Sequence, residues 1–207
     1  MEILRKHFPD LTDKQVAQFE KFGESFVHWN SQINLVSRKD IDEFYTRHVL
    51  HSLAIAKAMK FAEGSEILDA GTGGGLPGLP LAILYPDVKF TLCDSIGKKI
   101  KVVKELIKDL GLENVNAYHL RANEVPGKFD FIVSRAVTRM NKFLPWVETK
   151  ICKKCINPWP NGILYLKGGD LRQELNEINR DSEIIPISDW YKEEFFETKA
   201  VVYVRLQ

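Results

Sequence analysis

Apolar residues along 12–30 recur at three- and four-residue steps, at Val16, Phe19, Phe22, Phe26 and Trp29. That spacing puts one continuous stripe on a helix. Thr12 followed by Gln15 is a capping-box pattern that sets its start. A second helix is predicted over 40–60, opened by Asp40 and Glu43 and carrying Ile41, Phe44, Val49, Leu53 and Ala56. From Glu66 onward the period changes. Short apolar runs near 66–70, 88–94, 115–119, 129–134 and 162–167 read as strands, and helical patterns near 78–85, 96–110, 138–150 and 169–179 fall between or after them. Such alternation specifies βαβ units and a mostly parallel sheet with helices on both faces. The last apolar run, Ala200 to Leu206, is a further strand, with a partner near 184–198. Two strands without a helix between them end the sheet in an antiparallel edge hairpin. Residues 1–60 thus read as an N-terminal helical extension and residues 61–207 as one compact α/β domain.

The candidate chemistry lies where the first strand stops. Residues 66–78 read EILDAGTGGGLPG: an apolar strand ending on Asp69, then Gly71, Gly73, Gly74 and Gly75, then Leu76, Pro77 and Gly78 before a helical pattern. Strand, glycine loop and helix N-terminus form a cradle for a nucleotide-like cofactor. Gly73, Gly75 and Gly78 match the dinucleotide fingerprint literally. Asp69 argues against a pyrophosphate, which wants amide N–H groups and not a carboxylate. The same carboxylate suits a ligand with an ammonium group, such as S-adenosylmethionine. A P-loop is excluded because Gly78 is followed by Leu79 and Pro80. The next strand ends on Asp94, placed to bind both ribose hydroxyls of an adenosine. Gly71, Gly73, Gly75, Leu76, Asp69 and Asp94 are therefore candidate cofactor contacts.

Bulk properties narrow the class without naming a substrate. The chain has 207 residues, 44% of them hydrophobic, enough for a real core. No apolar run reaches the roughly 18 residues of a membrane span, and the N-terminus lacks the apolar core of a signal peptide. Three cysteines do not suggest a disulfide framework. A cytoplasmic, monomeric protein is expected. The net charge is +1, so global charge announces no nucleic-acid binder. Local clusters exist at Lys98, Lys99, Lys101 and Lys104, at Lys150, Lys153 and Lys154, and at Arg135 and Arg139. The bland alternative for each is a solvated helix face. Cys152 and Cys155 invite a zinc reading, but Cys93 is the only other thiol and sits in a strand, so no metal is expected.

Taken together, these residues resemble the ribosomal RNA small subunit methyltransferase G family, also called glucose-inhibited division protein B, from about Phe22 to Lys167. The resemblance is carried by Ile67-Leu68-Asp69-x-Gly71-Thr72-Gly73-x-Gly75-Leu76-Pro77-Gly78, by Cys93-Asp94-Ser95-x-Gly97-Lys98-Lys99, by Ser134-Arg135-Ala136 and by Leu166-Lys167-Gly168. It implies a class I methyltransferase fold of seven strands. It also implies transfer of a methyl from S-adenosylmethionine to N7 of a guanine in 16S ribosomal RNA, free or in the small subunit. It further implies cofactor contacts at Gly71, Leu76, Ala122, Asn123 and Arg135. Two positions depart from the family pattern: Asn123 stands where Glu is usual, and His51 stands where Asp is usual, so an acidic role there is absent.

Guanine N7 has an in-plane lone pair and no proton to lose, so no general base is required and alignment can carry catalysis. Amino-group methylation uses an Asn/Asp/Ser-Pro-Pro-aromatic motif after the fourth strand, where this chain has Ser134-Arg135-Ala136. Arg135, at a strand's carboxyl end, is a candidate for positioning substrate or cofactor, and Lys167 is a second. Lys98, Arg121, Arg139 and Lys167 are candidate RNA contacts. His48 and His51, three apart on one helix, could bind metal or phosphate, but packing of the extension against the sheet is the favoured reading. The same fold acting on a small molecule or protein is the alternative. A nicotinamide-dependent oxidoreductase or a non-catalytic binding module is the outsider.

Overall fold

A computed structural model describes residues 1–37 and 40–207. Seven strands form one sheet: β1 (Glu66–Ala70), β2 (Lys89–Cys93), β3 (Val115–Tyr118), β4 (Phe131–Arg135), β5 (Gly162–Gly168), β6 (Ser182–Pro186) and β7 (Lys199–Arg205). Their order across the sheet is β3-β2-β1-β4-β5-β7-β6. The first five pair in parallel, while β7 runs antiparallel to both β5 and β6. The C-terminal hairpin therefore carries the antiparallel pairing, with β7 inserted between β5 and β6. Central strands are buried on both faces, as parallel sheets require: Ile67, Leu68, Phe131, Ile132 and Val133 are all fully buried.

Helices cover both faces. One face holds α2 (Asp13–Gln32), α3 (His51–Ala58), α4 (Gly78–Leu84) and α5 (Gly97–Asp109). Phe19, Phe22, Phe26 and Leu53 share a continuous core there with Leu79, Phe90 and Leu106. The other face holds α6 (Met140–Val147) and α7 (Arg172–Asn176), where Met140, Phe143 and Leu175 pack on Leu68, Ile132 and Tyr165. The residues of 1–60 thus contribute to the same core as the sheet. The α2 stripe faces inward, and its capping box forms as expected, with Thr12 and Gln15 exchanging bonds. Gln15 also donates to the carbonyls of Ile83 and Leu84, closing the exposed end of α4.

Several boundaries differ from the periodicity. The second helix is not uniform: Ile41–Glu43 is a 3-10 turn, Tyr45–Leu50 is a π-helical turn, and only His51–Ala58 is regular. Its apolar and aromatic residues supply the stripe, but backbone winding answers to contacts across the fold, and π turns often mark functional sites. α6 is short and contains Pro145, continuing as a 3-10 turn over Glu148–Lys150. A further helix, α1 (Glu2–His7), buries only Leu4 and is too short for a period to reveal.

Candidate functional site

A cleft of about 630 Å³ opens at the carboxyl ends of β1, β2 and β4, where open α/β sheets bind ligands. Its floor is the glycine loop. The amides of Gly71 and Thr72 both donate to the Cys93 carbonyl at 2.9 Å, and those of Gly75 and Leu76 donate to the Thr72 carbonyl. Gly73 N donates to Asp94 Oδ2 at 2.9 Å, and Ile96 N donates to Asp94 Oδ1 at 2.8 Å. Asp94 therefore ties the loop after β1 to the loop after β2. Asp94 also lines the cleft at this point. The loop's amides are largely used internally, so they form no nest for a pyrophosphate.

Asp69 sits differently from the sequence expectation. It does not line the cleft, because its carboxylate is fully buried below the loop. Oδ2 accepts from Thr72 Oγ1 at 2.6 Å and from Gly78 N at 2.8 Å. Oδ1 is buried with no partner. Burial pushes the Asp69 carboxyl up to about 7, against those two bonds, which pull it down. Its role is to fix the loop on α4, and the case against a dinucleotide rests on the used amides and not on Asp69. Gly75 likewise lies behind the wall.

Gly71 is needed for two reasons. Its φ of +75° is left-handed, and a Cβ there would lie 2.6 Å from Val137 Cγ2. The loop after β4 thus touches the glycine loop directly. Gly74 marks a second close approach: a Cβ would meet Phe26 at 2.9 Å and Leu35 at 3.1 Å. Leu35 and Val36 line the cleft, held by Asn30 Oδ1, which accepts from both their amides at 2.9 Å. The N-terminal segment is part of the site.

Gly71, Gly73, Leu76, Asp94, Ala122, Asn123 and Arg135 all line the cleft, as does Arg121. Arg135 Nη1 donates to His48 Nδ1 at 3.0 Å and lies 3.3 Å from the Arg47 carbonyl. No carboxylate pairs with it among the described residues. Burial lowers Arg135 to about 10, so it stays cationic at neutral pH. Burial also takes His48 down to about 3, with Arg135 adding to the effect, and His51 falls well below its ordinary range for the same reasons. Both histidines are neutral. His51 is wedged against Phe195 and Phe196, with Arg135 and Lys199 near enough to disfavour its protonation further.

One candidate RNA contact is corrected. Lys167 does not reach toward solvent: its ammonium is 2.8 Å from Glu174, donates to the Thr138 carbonyl at 3.0 Å and lies over the Tyr165 ring. Arg139 is paired with Glu177, with its side chain half-exposed. Lys98 is exposed on α5 but does not line the cleft. The sequence reading also missed wall residues: Ile96, Lys99, Val137, Phe143 and Trp146. Lys99 was visible within its lysine cluster. Trp146, 45% exposed on α6, was legible only as an amphipathic position, because which face meets the cleft depends on packing. Among the described residues no cluster of three or more His, Cys, Asp or Glu side chains is arranged to hold a metal. Among the described residues no helix is long and apolar enough to cross a membrane.

This sheet order, with its glycine cradle and strand-end acid at a cleft able to hold S-adenosylmethionine, defines a class I methyltransferase. Solved structures share the fold. One is a point mutant of MtNAS in complex with S-adenosylmethionine, at TM-score 0.58 and 16% identity, covering 99% of this chain and 77% of that one. Another is a SAM-dependent methyltransferase from Aquifex aeolicus, at TM-score 0.57 and 15% identity, covering 78% of this chain and 92% of that one. The chain belongs to the rRNA small subunit methyltransferase G (GidB) family, whose profile matches residues 15–194. Relatives named Ribosomal RNA small subunit methyltransferase G include that of Christiangramia forsetii, 55% identical over 207 residues, with 100% of this chain and 98% of the relative covered. That of Bacteroides thetaiotaomicron is 48% identical over 206 residues, with both chains covered at 100%.

Proposed function

We propose that this protein methylates N7 of a guanine in small-subunit ribosomal RNA, using S-adenosylmethionine. The observation that carries the choice of target atom is the chemistry of the cleft wall. Among the described residues lining it, Asp94 carries the single carboxylate, and that group already accepts from two backbone amides. Burial pushes the Cys93 thiol up to about 12, so it is no nucleophile for pyrimidine C5 chemistry. A wall without a free base or thiolate suits an acceptor that has a lone pair and no proton to lose.

When bound, S-adenosylmethionine supplies an electrophilic methyl on a sulfonium leaving group. Asp94 would hold the ribose, Ala122 and Asn123 would border the adenine, and the glycine loop would seat the chain that follows. Arg135, cationic and without a carboxylate partner, suits the methionine carboxylate or an RNA phosphate. Because N7 gains positive charge during transfer, Arg135 would not lie against N7. Catalysis then rests on alignment and exclusion of water, and alignment alone contributes roughly 7–11 kcal/mol.

Charge distribution favours one lip for RNA. On the side of α6 and α7, Arg139, Lys167 and Arg180 are each paired with a glutamate, leaving Lys142 and Arg172 exposed without an ion pair among the described residues. On the side of α5, Lys98, Lys101, Lys104 and Arg121 are exposed and enter no ion pair among the described residues. RNA would approach over α5, one copy of the chain acting without metal in the cytoplasm. The test is methylation of 16S RNA and of small subunits from cells lacking the gene, with mass mapping of the product. Binding is titrated against salt for wild type and a Lys98→Ala, Lys101→Ala, Lys104→Ala variant. Each lost phosphate contact lowers the slope of log affinity against log salt by about 0.7–0.9. Absence of a new N7-methylguanine overturns the target, and an unchanged slope overturns the α5 approach.

A further inference from the structure

We propose that Tyr165, Lys167 and Glu174 form a clamp that holds the loop after β4 against the glycine loop, making all three positioning residues for methyl transfer. The proposal rests on the methyltransferase reading above. The loop begins at Ala136, a non-glycine residue at φ +54°, the only one at positive φ among the described residues. Such a conformation persists only where the surroundings over-determine it. The next residue, Val137, presses its Cγ2 onto Gly71. Ala136 and Val137 both line the cleft, so the placement of this loop sets one wall of the space where donor and acceptor meet.

Three groups over-determine it. The Tyr165 hydroxyl accepts from Val137 N and Thr138 N, each at 2.9 Å, and donates to the Thr138 carbonyl at 3.0 Å. Those three bonds direct the hydroxyl at two adjacent residues. The Lys167 ammonium donates to the same Thr138 carbonyl and pairs with Glu174. Glu174 Oε1 also accepts from Met140 N, the first residue of α6. The Lys167 and Glu174 side chains are each only 12% exposed. A lysine so enclosed, with its protons directed at a carbonyl and a carboxylate, is placed to fix backbone and not to meet a phosphate. The clamp thus fastens the loop at Val137, Thr138 and Met140, leaving Ala136 strained beside Arg135.

The experiment uses the whole protein and compares Tyr165→Phe, Lys167→Met, Glu174→Gln and Lys167→Arg. Amide hydrogen exchange at Val137 and Thr138 is read without cofactor. Methylation is read at saturating RNA and S-adenosylmethionine, and RNA affinity is read against salt. The expected result is faster exchange at those two amides in the first three variants. The turnover rate should fall roughly tenfold to a hundredfold, the cost of a small misplacement near the chemistry. The salt slope should be unchanged, and Lys167→Arg should recover part of the rate. Unchanged exchange, or faster exchange with wild-type turnover, overturns the clamp. So does a Lys167→Met variant whose salt slope drops by about one unit with raised KM, since that marks a phosphate contact. If wild type itself fails to methylate ribosomal RNA, the substrate reading falls and the clamp is decided by exchange alone.

Discussion

Substituting Gly71 by alanine tests the contact between the two loops that enclose the cleft. Two costs are separable. The residue sits at φ +75°, and a left-handed conformation costs an L residue roughly 1–2 kcal/mol. The new Cβ also lies 2.6 Å from Val137 Cγ2, and overpacking of that kind costs typically 1–3 kcal/mol. Gly71→Ala should therefore lower the unfolding free energy by about 2–5 kcal/mol. Val137 is 37% exposed, so Val137→Ala alone should cost about 0.5 kcal/mol or less. The double variant should recover the steric part and keep the backbone part, leaving a deficit of about 1–2 kcal/mol. Urea unfolding of the four proteins measures this cycle, and calorimetry with S-adenosylmethionine follows the same cycle at the cleft. A double variant as unstable as Gly71→Ala would refute the proposed contact. A Gly71→Ala protein as stable as wild type would refute both costs.

Other expectations follow from the same geometry. Asp94→Ala removes a charged acceptor from two loop amides and, on the proposed reading, from the ribose, so S-adenosylmethionine affinity should fall by roughly 1.5–3 kcal/mol in calorimetry; undiminished affinity would place the adenosine elsewhere. Arg135→Ala should cut methyl transfer at saturating RNA and cofactor, and a wild-type rate would make Arg135 purely structural. Acid should destabilise the protein. His48, held at about 3, and His51, held well below its ordinary range, bind fewer protons folded than unfolded, so each contributes stability above about pH 6.5 that is lost as pH falls toward its folded value. Asp69, raised to about 7, acts in the opposite sense, adding stability below its ordinary range that is lost as pH rises through 7. With two histidines set against Asp69 and Asp130, whose carboxyl burial also raises, unfolding free energy should still drop between pH 6.5 and 5, by up to about 1.4 kcal/mol per pH unit, and His51→Asn should flatten the slope. Chemical denaturation across that range measures it, and stability rising on acidification would contradict the assignment.

Hydrophobic period alone determined the α2 stripe, the five parallel strands and the presence of a C-terminal strand pair, because burial on one face or both is written into residue order. The glycine run after Asp69 and the acid at Asp94 were legible for a related reason: backbone approach and a strand-end carboxylate need particular residue types at short spacing. Only the tertiary structure decided what each charged group faces. Asp69 and Asp94 end consecutive strand patterns, yet one is sealed beneath the loop and the other borders the cleft. Lys167 and Lys98 were equal candidates for phosphate until Glu174, seven residues beyond Lys167, took one of them. The π-helical turn before His51, the clamp built by Tyr165 and the placement of Trp146 share this dependence. Each is fixed by partners remote in the chain, and the geometry and desolvation that select those partners exist only once the sheet and its helices have closed.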